Sequence, residues 1–325
     1  MWGDKMFLAG VDIGGTKCAL SIGNADEKGN VEIVFKEKFP TQNPKDTLEK
    51  FCELMKNSEE KYPFSAIGIS CGGPLDSKRG IVMSPPNLPG WDNVEVVKFF
   101  KDKFSVPCAL QNDANACAFA EYKFGAGRGY KNIVFLTFGT GLGAGLILDG
   151  KLYSGTNDNA GECGHIRLAQ SGPLGYGKEG SFEGFCSGGG IARLAQMKVK
   201  EKLDAGVEVA FCRDYTELES INAKLVAEYA VKGDELAKSI YNECGRRLGQ
   251  GLSIIIDLLN PEVIIIGSIF TRSKELLWSE CERVLKKEAL PLCLDVCKIL
   301  KSELSENIGD YAALSLALKA LEEAK

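Results

Sequence analysis

The residues best suited to chemistry in this sequence are glycines and threonines that separate two apolar segments in residues 133–148, IVFLTFGTGLGAGLIL. Six residues of strand-forming character, Ile133–Phe138, lead into glycines at 139, 141, 143 and 145, and residues 146–148 form a second apolar strand. Glycine lets backbone N–H groups approach an anion closely, because no Cβ stands in the way and positive φ costs nothing. We therefore expect a polyphosphate to bind at the following residues: Thr137, Gly139, Thr140, Gly141 and Gly143.

Two common glycine-rich motifs do not fit this segment. It is not a dinucleotide fingerprint, because its glycines open a second strand where that motif opens a helix. It is not a P-loop either, since no Gly-Lys-Ser/Thr follows it. A glycine-rich turn that merely reverses the chain remains the alternative when the segment is taken alone.

The same plan occurs at the start of the chain, which strengthens the phosphate interpretation. A buried strand over residues 6–13 carries one acid, Asp12, and is followed by Gly14, Gly15, Thr16 and Lys17 and then by another strand. An aspartate that ends an apolar strand beside a phosphate-binding turn suits an outer ligand of Mg²⁺. The alternative is structural: Asp12 caps the turn and Lys17 is a solvated strand residue.

Two polar segments provide candidates for binding and proton transfer. A strand near residues 107–110 ends on Asn112 and Asp113, and a helix begins at once, which is where open α/β sheets place ligands. Helix capping would account for this pair equally well, and both roles can hold. A glycine-rich loop then carries Glu162 and the only histidine, His165, and ends near Glu183. Together these three suggest a pocket for a polyhydroxylated ligand, although each alone is typical of a solvated loop.

The elements that must position these residues follow from composition and order. With 325 residues, 45% of them hydrophobic, the chain is long enough for roughly two domains with large cores. The charge of −5 argues against nucleic-acid or membrane partners, and no apolar run is long enough to span a membrane. Twelve scattered cysteines and no signal-peptide pattern in residues 1–5 indicate reduced thiols and a cytoplasmic protein. A third strand-to-glycine junction ends at Gly267.

Taken together, these motifs resemble the ROK family of sugar kinases and repressors, in the actin/hexokinase/Hsp70 ATPase superfamily. The resemblance runs nearly end to end: residues 12–17 and 137–145 resemble the two phosphate motifs, and residues 73–76 with 84–88 the sugar-side loop. Residues 112–116 resemble the catalytic segment, residues 161–165 with Glu183 the hexose-binding segment, and residues 264–267 the adenosine segment. The resemblance implies an α/β, two-lobed actin-like ATPase (ribonuclease H-like) fold with duplicated mixed sheets and a cleft between the lobes. We expect one lobe over residues 1–115 with a helix at about 310–325, and the other over residues 116–309.

One departure from the family concerns zinc. The family's cysteine cluster falls on residues 174–183 here, where the glycines and Glu183 are kept but leucine, tyrosine and serine replace three cysteines. A structural zinc needs four ligands, which His165 alone cannot supply. We predict no zinc, a loop ordered by packing through Tyr176 and Phe182, and a His165 that serves the sugar.

The resemblance implies ATP-dependent phosphorylation of a hexose, with glucose at its 6-hydroxyl as the first candidate. Asp113 would act as the base, and Gly73, Asn112, Glu162, His165 and Glu183 would hold the sugar. Asp12 would orient Mg²⁺ through water, and Gly267 would let adenosine lie against the backbone. N-acetylmannosamine, N-acetylglucosamine, fructose, mannose, allose and β-glucosides remain alternative substrates. A family repressor is less favoured, because only about six residues precede the first strand, where it would carry a DNA-binding domain, and because the protein is acidic. A non-catalytic sugar-sensing protein is also less favoured, because it would be expected to lose Asp12 or Asp113, and both are present. The family usually forms homodimers, and we expect one.

Overall fold

The computed structural model describes residues 6–26 and 29–324, and these form an α/β fold, as predicted. The absence of a signal peptide was predicted from residues 1–5, which lie outside the described residues. The strands are, in chain order, β1 (Met6–Ile13), β2 (Lys17–Ala25), β3 (Val31–Pro40), β4 (Phe64–Cys71), β5 (Leu75–Asp76), β6 (Ile81–Val82), β7 (Cys108–Asn112), β8 (Ile133–Phe138), β9 (Leu142–Leu148), β10 (Lys151–Tyr153), β11 (Leu174–Gly175), β12 (Lys178–Glu179), β13 (Val263–Ile266) and β14 (Lys298–Lys301).

The helices lie between groups of these strands and after the last strand. They are α1 (Pro44–Glu59), α2 (Val96–Phe104), α3 (Asp113–Phe124), α4 (Phe182–Phe185), α5 (Gly188–Asp204), α6 (Ala223–Val231), α7 (Glu235–Leu259), α8 (Ile269–Glu288), α9 (Pro291–Leu294) and α10 (Ile308–Glu323), with short 3₁₀ turns at Cys163–His165, Tyr215–Ser220 and Ser305–Asn307. Among the described residues, none of these helices combines the length and the apolar character needed to cross a membrane.

The first sheet has the strand order β3-β2-β1-β4-β7. β1, β2 and β3 are antiparallel neighbours, whereas β4 and β7 run parallel to β1. In this register Asp12 pairs with Ser70, and Cys71 pairs with Asn112. The carboxyl ends of β1, β4 and β7 therefore lie side by side, so Asp12 and Asp113 come to the same edge of the sheet.

The second sheet repeats this plan, with the strand order β10-β9-β8-β13-β14. β9 and β10 are antiparallel, and β13 and β14 are parallel. In the strand order, the β8–β9 hairpin has the place that the β1–β2 hairpin has in the first sheet. This duplication confirms the two strand–turn–strand cores expected from the sequence.

Contacts divide the chain into two compact units. The first contains Met1–Phe135, Gly145–Ala160 and Glu303–Lys325, and the second contains Leu136–Ala144 and Gly161–Ser302. These limits depart from the predicted boundary at 115/116, because helix α3 continues past it and packs against α10 within the first unit. α10 in turn covers β4 so closely that a Cβ on Gly68 would lie 1.9 Å from the carbonyl oxygen of Ala313.

Two local expectations are wrong. Gly143 and Gly145 belong to strand β9 and not to the turn; a Cβ on Gly145 would lie 2.3 Å from the Ala114 carbonyl oxygen, so this glycine permits close packing of α3. The stretch 171–183 is not all loop, since it contains the β11–β12 hairpin and the start of α4. Strand β14 was not predicted.

Candidate active site

Asn112 takes the capping role that the sequence left open between Asn112 and Asp113. Asn112 is the N-cap of α3: its Oδ1 accepts a hydrogen bond from the Asn115 N–H at 2.8 Å, and its Nδ2 donates to the Asp158 carbonyl oxygen at 3.2 Å. Asp113 is the first residue of the helix, and its Oδ1 accepts from the Ala114 N–H at 2.8 Å. Because Asn112 supplies the cap, the Asp113 carboxylate is not used for it.

The Asp113 carboxyl combines access with partial loss of water. The residue as a whole is exposed. Protein atoms nevertheless crowd its carboxyl group, and this desolvation raises the pKa of Asp113 above its ordinary value of 3.8, against the opposing effect of the Ala114 N–H. A carboxylate with a raised pKa that a ligand can reach is suited to accept a proton.

Asp12 lies in a group of carboxylates. Burial, and then the charges of Asp310 and Asp113, raise the pKa of Asp12 from 3.8 to about 7. Asp310 stands at the start of α10, where it accepts a hydrogen bond from Ser21 Oγ at 2.7 Å and forms an ion pair with Lys36. The excess of negative charge beside Asp12 is an arrangement that a divalent cation would relieve.

The turn between β1 and β2 is held by residues outside it. Thr41 Oγ1 donates to the Gly14 carbonyl oxygen at 2.6 Å, and the Thr41 N–H donates to the Thr16 carbonyl oxygen at 3.1 Å. A Cβ on Gly15 would lie 2.6 Å from the Asn87 carbonyl oxygen, so only glycine fits there. Gly15, Thr16 and Lys17 are exposed. The turn is thus fixed in shape and open to a ligand.

Gly73 follows β4 and completes the predicted residues of the first unit. A Cβ at this position would meet open space, so its backbone is accessible. The nearby Ser77 is bound through both its N–H and its Oγ to the Asp158 carboxylate, each at 2.8 Å. The backbone carbonyl oxygen of Asp158 also accepts a hydrogen bond from the Asn112 side-chain amide. Asp158 therefore braces the loop after Gly73 and the catalytic segment together.

The β8–β9 hairpin, in the second unit, is closed by its own threonine. Thr137 Oγ1 accepts from the Gly143 N–H at 3.0 Å and lies 3.3 Å from the Gly143 carbonyl oxygen. At the tip, the Gly139 N–H donates to the Gly141 carbonyl oxygen, and the Gly139 carbonyl oxygen accepts from the Gly188 N–H of α5 at 2.7 Å. Thr140 at the tip is exposed.

The predicted sugar-binding residues of the second unit pack against this hairpin. Glu183 Oε2 accepts from the Leu142 N–H at 3.0 Å. Gly164 lies so close that an added Cβ would be 2.1 Å from the Leu142 carbonyl oxygen and 3.3 Å from the Glu183 Cβ. Glu162 is exposed, and His165 is half-buried at the end of the same 3₁₀ turn. The structure thus brings Glu162, His165 and Glu183 together with the second glycine hairpin.

Gly267, the predicted adenosine-side residue, follows β13 in the same unit. Its N–H donates to the Leu136 carbonyl oxygen at 3.1 Å, which ties the end of β13 to β8. A Cβ on Gly139 would meet only Ser268 Oγ, at 3.6 Å. Gly267 therefore lies next to the tip of the β8–β9 hairpin, with Ser268 beside Gly139.

The segment that corresponds to the zinc cluster in the family resemblance forms a tight hairpin beside His165. Tyr176 and Gly177, with φ of +42° and +76°, form the tight turn of the β11–β12 hairpin, and the Tyr176 ring meets His165 edge-on at 5.3 Å. Lys178 Nζ donates to the His165 carbonyl oxygen at 2.7 Å. Across residues 6–26 and 29–324, no three His, Cys, Asp or Glu side chains are grouped to hold a metal ion directly. The buried Phe182 agrees with the predicted packing, whereas Tyr176 is 71% exposed and contacts the loop through His165.

Three residues of the site were missed by the sequence analysis. Asp310 and Asp158 are far along the chain from the residues they support, and only a buried acid at the start of an alanine- and leucine-rich helix hinted at the first. The third, Arg193, lies on α5 with its guanidinium 3.1–3.2 Å from the position of a Cβ on Gly189, and its Nε is buried without a hydrogen-bond partner among the described residues. A single arginine in an amphipathic helix gives no signal in a sequence.

Known proteins are similar to this chain in sequence and in fold. A sequence model of the ROK family matches residues 8–320. A glucokinase of Streptomyces coelicolor is 31% identical, over 95% of this chain and 96% of its own. The crystal structure of a ROK family glucokinase from Streptomyces griseus in complex with glucose and AMPPNP is 30% identical, covers 97% of this chain and all of its own, and has a TM-score of 0.73.

A regulator is also similar. The crystal structure of a ROK family transcriptional regulator, a homolog of the E. coli MLC protein, is 25% identical with a TM-score of 0.83, over 97% of this chain and 78% of its own. These similarities confirm the predicted actin-like ATPase fold class. Since the family model spans nearly the whole sequence, the chain belongs to the ROK family.

Proposed function

We propose that this protein is an ATP-dependent sugar kinase that phosphorylates a hexose, with glucose at its 6-hydroxyl as the leading candidate. Similarity to proteins named glucokinase over nearly their full length supports this choice. The observation that carries it is the division of labour at the start of α3: Asn112 caps the helix, and the Asp113 carboxylate remains accessible with a raised pKa.

In the proposed reaction Asp113 is the general base. The Ala114 N–H holds Oδ1, so Oδ2 is the oxygen that takes the proton of the sugar hydroxyl. As that proton leaves, a bond forms between the hydroxyl oxygen and the γ-phosphorus of ATP, and the bond from the γ-phosphorus to the bridging β–γ oxygen breaks. The products are a hexose phosphate and ADP, and Asp113 later releases its proton to solvent.

The other predicted residues would bind and orient the sugar. Asn112 and the Gly73 N–H donate to hydroxyl oxygens, Glu162 accepts from hydroxyl groups, and His165 does either according to its tautomer. Glu183 keeps Oε2 on the Leu142 N–H and offers Oε1 to the sugar. Because Asn112 and Glu183 are already held by hydrogen bonds, less entropy is lost on reaching the transition state.

Backbone amides and charges would hold the nucleotide. The phosphates contact N–H groups of the two glycine hairpins and the Lys17 ammonium, and adenosine lies against Gly267. Asp12 would hold Mg²⁺ through water, in keeping with the negative charge around it. When bound, Mg²⁺ neutralises charge on the transferred phosphoryl group. Metal analysis of protein purified without chelator should find no stoichiometric zinc.

The test is ADP release with Mg-ATP across hexoses, N-acetylhexosamines and β-glucosides. A strong response to one sugar is expected, with glucose first, and the Asp113→Asn variant serves as the inactive control. A response to N-acetylmannosamine or another alternative alone would keep the kinase but replace the substrate. No response from protein that binds ATP would exclude the kinase proposal for these sugars.

A sugar-responsive regulator is the second candidate, because the structural similarity to a ROK transcriptional regulator is high. Such a protein would bind a sugar without transferring phosphate. Sugar binding by calorimetry, with no ADP release in the same preparation, would favour this function. The homodimer expected from the family resemblance remains a prediction for either function.

A further inference from the structure

The first unit contains a cavity of about 510 Å³ that the proposed reaction does not use. Its apolar wall comes from edge strand β7, through Cys108, Ala109 and Leu110, and from Val97 of α2 and Leu316 of α10. The volume is within the range of pockets that hold small organic ligands. The cavity is therefore large enough for a sugar-sized molecule and not only for an inorganic ion.

The charged residues of this cavity are mostly cationic. Its lining includes Lys78, Arg79, Lys98, Lys101 and Lys319 against two carboxylates, Asp102 and Glu323, which leaves an excess of three positive charges. Lys98 pairs with Asp102 at 2.9 Å, and Lys319 pairs with Glu323. Arg79 is 3.9 Å from the carboxylate of Asp76.

Two of these cations have no acidic partner. Lys78 and Lys101 are exposed, and neither forms an ion pair within the part of the chain that the structure describes. They come from different elements, the turn between β5 and β6 and helix α2. Ammonium groups gathered from separate elements around an apolar wall are suited to a molecule with a phosphate group and an organic body.

The wall of the cavity is hydrogen-bonded to the catalytic segment. Gln111 lines the cavity and is only 5% exposed, and its Oε1 accepts from the Asn112 N–H at 2.8 Å and from Asn115 Nδ2 at 3.2 Å. Ser77 also lines the cavity and reaches Asn112 through Asp158. Two sets of hydrogen bonds thus run from residues of the cavity to the residue that caps α3.

The loop that carries Lys78 and Arg79 is not free to adopt another shape easily. Gly80 has a φ of +73°, and a Cβ there would lie 2.4 Å from the Val97 Cβ of α2. Ser77 fixes the other end of the loop on Asp158. A ligand held between Lys78 and Lys101 would therefore act on a loop with fixed attachments at both ends.

We propose that this cavity is a second ligand site, which binds a small organic phosphate, and that its occupancy is transmitted through Gln111 and Ser77 to Asn112. It is separate from the residues proposed to bind the hexose and ATP. Because the proposed reaction produces a hexose phosphate, glucose 6-phosphate is the first probe, and inorganic phosphate is the second. Both are tested by binding without turnover, in protein saturated with glucose so that the proposed hexose site is already occupied, and failure of the second site is thereby distinguished from failure of the kinase proposal.

The experiment compares two variants of equal charge. Lys78→Glu/Lys101→Glu reverses both unpaired cations of the cavity, and Lys56→Glu/Lys103→Glu reverses two exposed lysines that do not line it. Isothermal calorimetry with glucose 6-phosphate should show weaker binding by about tenfold or more in the first variant only. Glucose 6-phosphate should also bind the wild type more tightly than inorganic phosphate does, because only it contacts the apolar wall.

A second measurement tests the transmission. In amide NMR spectra of protein saturated with glucose, addition of glucose 6-phosphate should shift the Asn112 and Asn115 signals in the wild type and in Lys56→Glu/Lys103→Glu, but not in Lys78→Glu/Lys101→Glu. Equal affinity in all three proteins would overturn the second site. Binding without these shifts would overturn the transmission, and equal binding of inorganic phosphate would overturn the preference for an organic phosphate.

Discussion

The two glycine hairpins of this protein place different side chains at the same point of their strands. Asp12 lies two residues before Gly14, and Thr137 lies two residues before Gly139. The Thr137 hydroxyl forms hydrogen bonds across the hairpin with the backbone of Gly143. Asp12 instead lies among other carboxylates, and burial together with Asp310 and Asp113 raises its pKa to about 7. The fold is duplicated, but the electrostatic environment is not.

This difference separates structural from functional residues. A hydroxyl at the equivalent point of the second hairpin shows that the turn can be built without an acid. An acid kept where its charged form is unfavourable lowers the stability of the folded chain, and such groups concentrate at functional sites. The comparison therefore supports our proposal that Asp12 serves ligand binding, and it shows that the Thr137 hydroxyl holds the hairpin closed.

The second hairpin has an unfavourable charge of the opposite sign beside it. The Arg193 side chain lies over Gly189, whose N–H donates to the Thr140 carbonyl oxygen at 3.4 Å, in the first turn of α5. A cation near a helix N-terminus is disfavoured by the helix dipole. The second hairpin thus lies beside an unfavourable cation, whereas the first lies beside an excess of carboxylates.

The largest expected effect is that of Asp113→Asn at the acidic edge of the first sheet. Asparagine keeps the shape of the side chain but cannot accept the hydroxyl proton, so kcat should fall by about 10²–10⁴-fold while the sugar Kd changes little. Steady-state kinetics and sugar calorimetry measure the two quantities. Asp149→Asn, in the exposed turn after β9, is the matched control and should leave kcat unchanged. Near-normal turnover in Asp113→Asn would remove the base assignment.

Asp12→Asn should produce opposite effects on activity and stability. The Asp12 pKa is about 7 in the folded chain and 3.8 in the unfolded one, so the folded chain binds the proton more tightly between these values. The free energy of unfolding of the wild type should therefore fall as pH rises from about 4 to about 7, by up to about 4 kcal/mol, and stay low above that.

Asparagine removes this dependence, because it has no charge to desolvate. At pH 8, without Mg²⁺ or ATP, Asp12→Asn should be more stable than the wild type, and at pH 4 the two should be similar. Its kcat should nevertheless be lower. Denaturant unfolding at both pH values measures the effect. A variant less stable than the wild type at pH 8 would show that Asp12 has a structural role after all.

Most of the fold could be predicted because its strands are apolar and short. β1, β4, β8 and β13 are buried runs that end in polar or glycine residues, and this pattern marks both sheets. β14 was missed because its four residues, Lys298–Lys301, place two apolar side chains between two lysines over too short a length. The β11–β12 hairpin was missed because strands of two residues carry no periodic signal.

The residues of the candidate site could be predicted where they lie next to a recognisable strand in the sequence. They could not be predicted where only the folded structure brings them close to the site. Asp12 lies near the end of β1 and Asp113 directly follows β7, and both could be found from that alone. Asp310 approaches Asp12 only because α10 returns to cover β1 and β4, 298 residues later. The capping role of Asn112 also depended on geometry, since Asn112 and Asp113 are both good N-cap residues.

Thr137→Val should destabilise the second hairpin without a large change in catalysis. Valine keeps the shape but leaves the Gly143 N–H without its acceptor, which should lower the free energy of unfolding by about 1–3 kcal/mol. Thr140→Val at the exposed tip is the matched control and should change stability by less than about 0.5 kcal/mol. Thr140→Val should instead raise the KM for ATP. Equal stability losses in the two variants would contradict the structural role of Thr137.

The smallest expected effect is that of replacing Arg193, the cation beside the second hairpin. We propose that the Arg193 guanidinium, which lies beside Gly189, makes a charge-assisted contact to the phosphates, so the KM for ATP should rise about fivefold in Arg193→Met. The free energy of unfolding should stay unchanged or increase, since an unfavourable half-buried cation has been removed. Kinetics with varied ATP and denaturant unfolding of the ligand-free protein measure the two effects.

Arg213→Met provides the control for this variant. Arg213 is exposed in the same unit and paired with Glu217, so its loss should leave the KM for ATP unchanged. If Arg193→Met lowers stability and leaves the KM for ATP unchanged, Arg193 supports the packing of α5 and the symmetry of opposite unfavourable charges fails. If it shifts the KM for ATP without loss of stability, the second hairpin resembles the first in being held ready for a charged ligand at a cost to the free protein.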